Sequence, residues 1–289
     1  MSSHPQRFSR RAFLRASLQV VGGGALVTSG SAAYAFVAEK EWVAVERVTL
    51  DLPRLPAAFD GYRLAQISDL HFGSAVRPEY LLEACQQVSA LTPDAIVITG
   101  DFVSRLNNGE ADWVTRAVHA LSAPDGVYAT LGNHDWWEHA ETVSAAVEQG
   151  GGTLLRNRHV RLERLGGSLY LAGVDDIWEG QHDLAAALTG IPSGAGVVLL
   201  AHEPDFADEV AADGRVDLQL SGHSHGGQVR LPIIGAPLTP RLGKKYKHGW
   251  YRVGPLQVYT NRGLGLARPA VRINCRPEIT LFTLRAGQA

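Results

Sequence analysis

The sequence predicts an α/β fold in which a layer of alternating strands and helices merges into a second, mainly antiparallel sheet. In the first half, short apolar runs alternate with segments whose apolar residues recur at helical spacing. From residue 228 onward nearly every apolar run is short and strand-like. No repeat, no low-complexity segment after residue 38 and no long linker interrupts the chain, so residues 36–289 read as one compact domain.

Each element has its own reason. Residues 42–50 (WVAVERVTL) alternate apolar and polar side chains, the pattern of a half-buried strand. A proline-rich turn, LPRLPAAFDGY, leads into the strand YRLAQIS. Residues 78–91 carry a helical pattern with Pro78 in the first turn, where its missing N–H costs nothing. DAIVIT reads as a buried strand, 111–121 as a helix, GVYATL as a strand and 138–149 as a helix. TLLRN, VRLERL and SLYLAGV are strands, the last two joined at Gly166-Gly167. A short helix over 182–188, the strand GVVLLA, a helix over 205–212 and the strand DLQLS follow. The tail offers QVRLP, GWYRV, LQVYT, VRINC and EITLFTL.

Composition is ordinary for a globular chain: 45% hydrophobic, 19% charged, net charge -2. No basic excess argues for a specific nucleic-acid partner. The N-terminus departs from this average. SRRAFLR is followed by the uncharged residues 16–38, the layout of an export signal, and Arg10-Arg11 with Phe13-Leu14 resembles the twin-arginine address. Ala33-Tyr34-Ala35 offers a cleavage site. Residues 1–35 therefore read as a twin-arginine signal peptide or an N-terminal anchor, and their glycines and serines favour the cleaved signal. Export to the periplasm, or to the outer face of the cytoplasmic membrane, follows. Cys85 sits in a helical apolar pattern and reads as a buried thiol; its pairing with Cys275 stays open.

The chemistry stands at the strand ends. RLAQIS gives way to Asp69-Leu70-His71, AIVIT to Gly100-Asp101, and VYATL to Gly132-Asn133-His134-Asp135. GVVLLA ends at His202, and DLQLS at Gly222-His223-Ser224-His225. Open α/β sheets place their sites at the carboxyl ends of strands, so these ends can converge. His223 and His225, two apart on an extended segment, would point to one side. The set holds too many donors for one ion and divides between two, with a carboxylate bridging. Two ions about 3.5–4 Å apart clamp the attacking and leaving oxygens of a phosphoryl displacement and supply a hydroxide at neutral pH. Mixed imidazole and carboxylate donors suit Mn, Fe or Zn.

D-x-H, G-D, G-N-H-D, a lone H and G-H-x-H, in that order, resemble the calcineurin-like metallophosphoesterase superfamily. SDLHFG, GHSHGGQ and NRGLG…RINCRPEITLFTL are similar to its exported, twin-arginine phosphodiesterase branch, which is similar in turn to the enzymes that cleave UDP-2,3-diacylglucosamine in lipid A synthesis. The resemblance implies a four-layer αββα sandwich of two mixed β-sheets. It also implies that Asp69, His71 and His225 hold one divalent ion, that Asn133, His202 and His223 hold a second, and that Asp101 bridges them. His134 would approach the phosphate and protonate the leaving oxygen or stabilise its charge.

Weaker candidates stand beside these. Asp135 orients His134 or caps the following helix; Trp136 and Trp137 form a substrate wall or pack in the core. Asp175-Asp176 read as a further strand-end feature near the site or as turn residues, and the basic segment 241–248 as a solvated loop or a steering surface for anions or lipid head groups. His4, His119, His139, His159 and His182 read as ordinary histidines. The expected function is hydrolysis of a phosphodiester or pyrophosphate, lipid-linked or nucleotide, with the twin-arginine machinery and the membrane as further partners. A UDP-2,3-diacylglucosamine hydrolase and a non-catalytic metal-dependent binding module are the alternatives.

Overall fold

The computed structural model describes residues 39–107 and 109–287. Residues 1–35, expected as a signal or anchor, lie outside them, and His4 with them. The chain runs β1 (Ala44–Leu52), β2 (Tyr62–Ile67), α1 (Pro78–Ala90), β3 (Ala95–Thr99), α2 (Glu110–His119), β4 (Val127–Thr130), α3 (Asn133–Gln149) and β5 (Thr153–Leu154). It continues as β6 (Arg158–Arg164), β7 (Gly167–Gly173), α4 (Leu184–Leu188), β8 (Gly196–Leu200), α5 (Ala207–Asp213), β9 (Leu218–Ser221), β10 (Gly249–Val253), β11 (Leu256–Thr260) and β12 (Glu278–Ala286).

These strands form two six-stranded sheets, ordered β1-β12-β2-β3-β4-β5 and β10-β11-β9-β8-β7-β6. Both are mixed. In the first, only β12–β2 is antiparallel. In the second, β6–β7 and β10–β11 are antiparallel, while β7–β8, β8–β9 and β9–β11 are parallel. The expectation of a mainly antiparallel second sheet is therefore corrected. α4 and α5, though short, carry the chain back between parallel strands, as any parallel connection must.

Side-chain alternation sets the layers. On β3, Ala95 and Val97 face the second sheet, while Ile96 and Ile98 face α1–α3. On β8, Val198 and Leu200 join the core between the sheets, while Val197 and Leu199 face α4 and α5. Strands buried on both faces read as continuous apolar runs, which is how AIVIT and GVVLL look in sequence. Helices outside, two sheets inside: the four-layer α/β/β/α arrangement holds.

Three local expectations change. α3 begins at Asn133, ahead of residue 138, because the Asp135 carboxylate reaches back to accept the Gly132 N–H at 3.0 Å, capping the first turn. His139 interrupts this helix, and its Nδ1 accepts from the Thr142 N–H (3.3 Å), recapping the second part, where the apolar pattern starts. In the tail, QVRLP and VRINC meet only through single bridges such as Val229 to Ile273. Cys85 and Cys275 are both buried and free. Among the described residues, no helix is long and apolar enough to cross a membrane.

Candidate metal centre

β2, β3 and β4 lie side by side in the first sheet, and β8 and β9 are neighbours in the second. Face-to-face packing brings their carboxyl ends to one edge, and there the chain leaves each strand by a tight turn. Asp69, His71, Asp101, His223 and His225 all adopt left-handed backbone, with φ between 50° and 65°. Such conformations are strained for residues with a Cβ and persist where surrounding contacts over-determine them. This corrects the extended-strand account of the histidine pair. β9 ends at Ser221, and His223 and His225 reach the site from a turn, each toward a different neighbour.

Close approach is what the glycines permit. A Cβ on Gly222 would collide with Ser68 Oγ and the Asp69 carboxylate. Gly100, at φ 87°, lies where a Cβ would come within 2.6 Å of His202 Nδ1.

Two groups of donor atoms result. In one, His71 Nε2 faces His225 Nε2 at 3.0 Å, and Asp69 Oδ1 lies 3.4 Å from His225 Nε2. In the other, His202 Nε2 faces His223 Nδ1 at 3.2 Å. Asp101 Oδ2 stands between them, 3.4 Å from His71 Nε2 and 3.2 Å from His202 Nε2. Its other oxygen, Oδ1, accepts the His134 N–H at 2.9 Å, which fixes the carboxylate. Within each triad, Asp69–His71–His225 and Asp101–His202–His223, ligand atoms lie within 4.8 Å of one another, and so do those of His71, Asp101 and His134.

Outer partners set which nitrogen faces inward. His202 Nδ1 donates to Thr99 O (2.6 Å) and His223 Nε2 to Arg241 O (2.7 Å), because a carbonyl only accepts. Ser104 Oγ holds His71 Nδ1 at 2.8 Å. Both Asp69 oxygens accept the His223 N–H, at 3.1 and 3.2 Å. Behind the His225 turn, Cys275 Sγ donates to His225 O (3.2 Å), and the Cys275 N–H is held by the buried Glu39 carboxylate at 2.7 Å.

The electrostatics ask for cations. Burial pushes His71 and His223 down to about 3 and His225 well below its usual value, so these rings are neutral donors. Burial also raises Asp69 to about 7. Burial works against charge on Asp101 too, but His202 and His134 outweigh it and hold Asp101 well below the carboxylate range. His202 is raised well above its usual value by Asp101 and Asp69 against the pull of burial. Asn133 Oδ1 is buried and has no hydrogen-bond partner among the described residues. An orphaned amide oxygen, inward-facing imidazole nitrogens and a carboxylate between them fit a pair of divalent ions, whose binding would displace the protons on His202 and Asp69.

All seven residues expected as ligands are thus brought together, with His134 beside them. Its half-buried ring lies edge-on to His71, centroids 4.8 Å apart, and against Trp137 at 4.8 Å. Above them a cleft of about 310 Å³ opens, walled by Trp137, Trp178, Val229, Leu238 and Arg268. The two-way reading of the tryptophans resolves by position. Trp136 packs on the core and donates to Asp175 Oδ1 (2.8 Å), whereas the half-exposed Trp137 lines the cleft. Asp135 is a cap: its Oδ1 also accepts from Phe102 and Val103 N–H. Asp175 pairs with Arg156 at 2.7 Å. His159 Nδ1 donates to Ala187 O and His182 packs on Phe206, away from the centre.

Sequence reasoning missed Trp178, Ser104 and Arg272. The fully buried Arg272 guanidinium donates to the carbonyls of Arg262, Gly263, Gly265 and Cys275, shaping the loop that pairs with Ser68 and Asp69. The closing NRGLG…RIN run, singled out as a family signature, was the available signal.

Fold and site together define a metal-dependent phosphoric ester hydrolase. The model of the calcineurin-like phosphoesterase family matches residues 62–227, and the chain belongs to that family. It is 35% identical over 284 residues to YkuE of Bacillus subtilis, an uncharacterized metallophosphoesterase, covering 97% of this chain and 99% of that one. It is 30% identical over 280 residues to the phosphodiesterase YaeI of Escherichia coli, covering 96% and 99%. With the UDP-2,3-diacylglucosamine pyrophosphatase LpxG of Chlamydia trachomatis it shares 27% identity over 297 residues, covering 84% and 90%.

Proposed function

We propose that this enzyme cleaves a phosphodiester or pyrophosphate bond in an exported, envelope-facing setting, with a lipid-linked or nucleotide diphosphate as substrate class. The observation that carries the reading is Asp101 Oδ2, set within 3.4 Å of His71 Nε2 and 3.2 Å of His202 Nε2, between two otherwise separate donor groups. Asp69, His71 and His225 would hold one ion; Asn133, His202 and His223 would hold the other. Two such ions, Mn, Fe or Zn, would polarise the phosphoryl oxygens and supply hydroxide at neutral pH.

The chain's own residues do the rest. Asp101 fixes the spacing of the two groups, itself held by the His134 N–H. The Thr99 and Arg241 carbonyls keep His202 Nε2 and His223 Nδ1 unprotonated toward the centre once an ion is bound. The His134 ring, at the cleft wall, delivers a proton to the leaving oxygen. Trp137 and Trp178 exclude water from one side of the cleft. The leader residues 1–35 support export, and the names of YaeI and LpxG support diester and pyrophosphate substrates respectively. A UDP-2,3-diacylglucosamine substrate is the narrower alternative; a binding module would use the same ions without turnover.

The test is hydrolysis of a chromogenic phosphodiester and its monoester by the full chain, stripped of metal and titrated with Mn²⁺. Diester turnover that saturates at two equivalents and vanishes in Asp101→Ala is expected. Two bound equivalents with no turnover of diester, monoester or a nucleotide diphosphate would overturn catalysis in favour of the binding module.

A further inference from the structure

Residues 229–240 form a finger at the cleft mouth. Backbone bonds fix its base: Arg230 N–H donates to Ile273 O (2.9 Å), and Leu231 and Gly235 exchange bonds of 2.8 and 2.9 Å. Ala236 packs on Gly227 so closely that no side chain would fit there. At the tip, Ile233 is 108% exposed and Ile234 70%; Leu238, 53% exposed, follows. Single exposed apolar residues are ordinary, but a cluster of them with a polar rim marks an interaction surface.

Charge supplies the second observation. From Leu218 to Pro277 the chain has ten lysines and arginines and no aspartate or glutamate. Two of these cations, exposed Arg241 and Arg268, border the cleft beside the finger; Arg241 lies 5.6 Å from the Trp178 ring and Arg268 lines the wall. The finger is also continuous with the centre. Leu238, Thr239 and Pro240 line the cleft, and the next residue's carbonyl accepts from His223.

We propose that this finger docks the enzyme on an anionic bilayer, with Ile233 and Ile234 entering the boundary between head groups and acyl chains and Arg241 and Arg268 meeting lipid phosphates. A protruding apolar tip beside cations, without an acid in its segment, matches the chemistry of such a surface. Docked this way, the cleft mouth sits at head-group level and favours phosphoesters carried in the plane of the membrane. That last step rests on the phosphoesterase reading above; the docking itself does not.

The test places one reporter at the tip. Ile233→Cys is labelled with an environment-sensitive fluorophore in the full chain, where Cys85 and Cys275 are buried and free. Vesicles of phosphatidylglycerol and phosphatidylcholine are titrated in, with phosphatidylcholine alone as comparison. Emission is expected to rise and move to the blue with the anionic vesicles only. The same label at Leu165→Cys, 99% exposed on the β6–β7 turn, should not respond. Adding Ile234→Asp should weaken the apparent vesicle affinity by about tenfold or more. Soluble-diester turnover should be unchanged in Ile234→Asp. No response at the tip, an equal response at residue 165, or a response that grows with protein concentration without vesicles would overturn docking, the last by pointing to self-association. Absent diester turnover with the tip response intact would strike the phosphoesterase reading alone.

Discussion

Asp101 and His134 make separable contributions, and single substitutions distinguish them. Asp101→Ala removes the one oxygen shared by both donor groups, so metal stoichiometry should fall below two and activity should disappear; elemental analysis of the purified variant checks this. His134→Ala keeps its backbone N–H on Asp101 and should retain both ions while turnover slows by roughly 10²–10⁴, the range of general acid catalysis. Metal lost from that variant would make His134 a ligand with His71 and Asp101, a grouping the distances also allow. Ser104→Ala deserts His71 Nδ1 and should lower metal affinity about 10–100-fold in a chelator competition. The inner residues were legible because each follows an apolar run and often a glycine. Ser104 and Arg272 were not, since a serine or an arginine gains meaning only from a partner distant in sequence.

At the level of elements, α3 decides where Asn133 and His134 stand. Its start was hidden because the His139 interruption separates the capped first turn from the apolar pattern that identifies a helix. Asp135 binds three N–H groups there, so Asp135→Ala should cost about 2–4 kcal/mol from the lost cap and the unpaired buried donors, measured by denaturant unfolding. The strands of both sheets were readable as apolar runs, but their direction was not. Five- and seven-residue crossover helices carry too few turns for a strong period, and parallel pairing in the second sheet went unrecognised. QVRLP and VRINC mislead for the opposite reason: their alternation serves a loop held by single bridges.

For the molecule as a whole, the donor cluster joins the two sheets at one edge, so ions bound there should stabilise the fold by mass action. Chelation is expected to lower the thermal midpoint, and Mn²⁺ at about 100 times its Kd should restore about 2.7 kcal/mol. Asp101→Ala should show little of that difference. One contact reaches beyond chemistry. Glu39, the first described residue, is buried and holds the Cys275 N–H, whose thiol holds the carbonyl of His225. The His225 turn is thus moored, through Cys275, to a carboxylate 236 residues upstream of that thiol. The consequence is mechanical: a carboxylate outside both donor groups holds one end of the His225 turn, so the centre is braced from a segment that supplies it no donor atom.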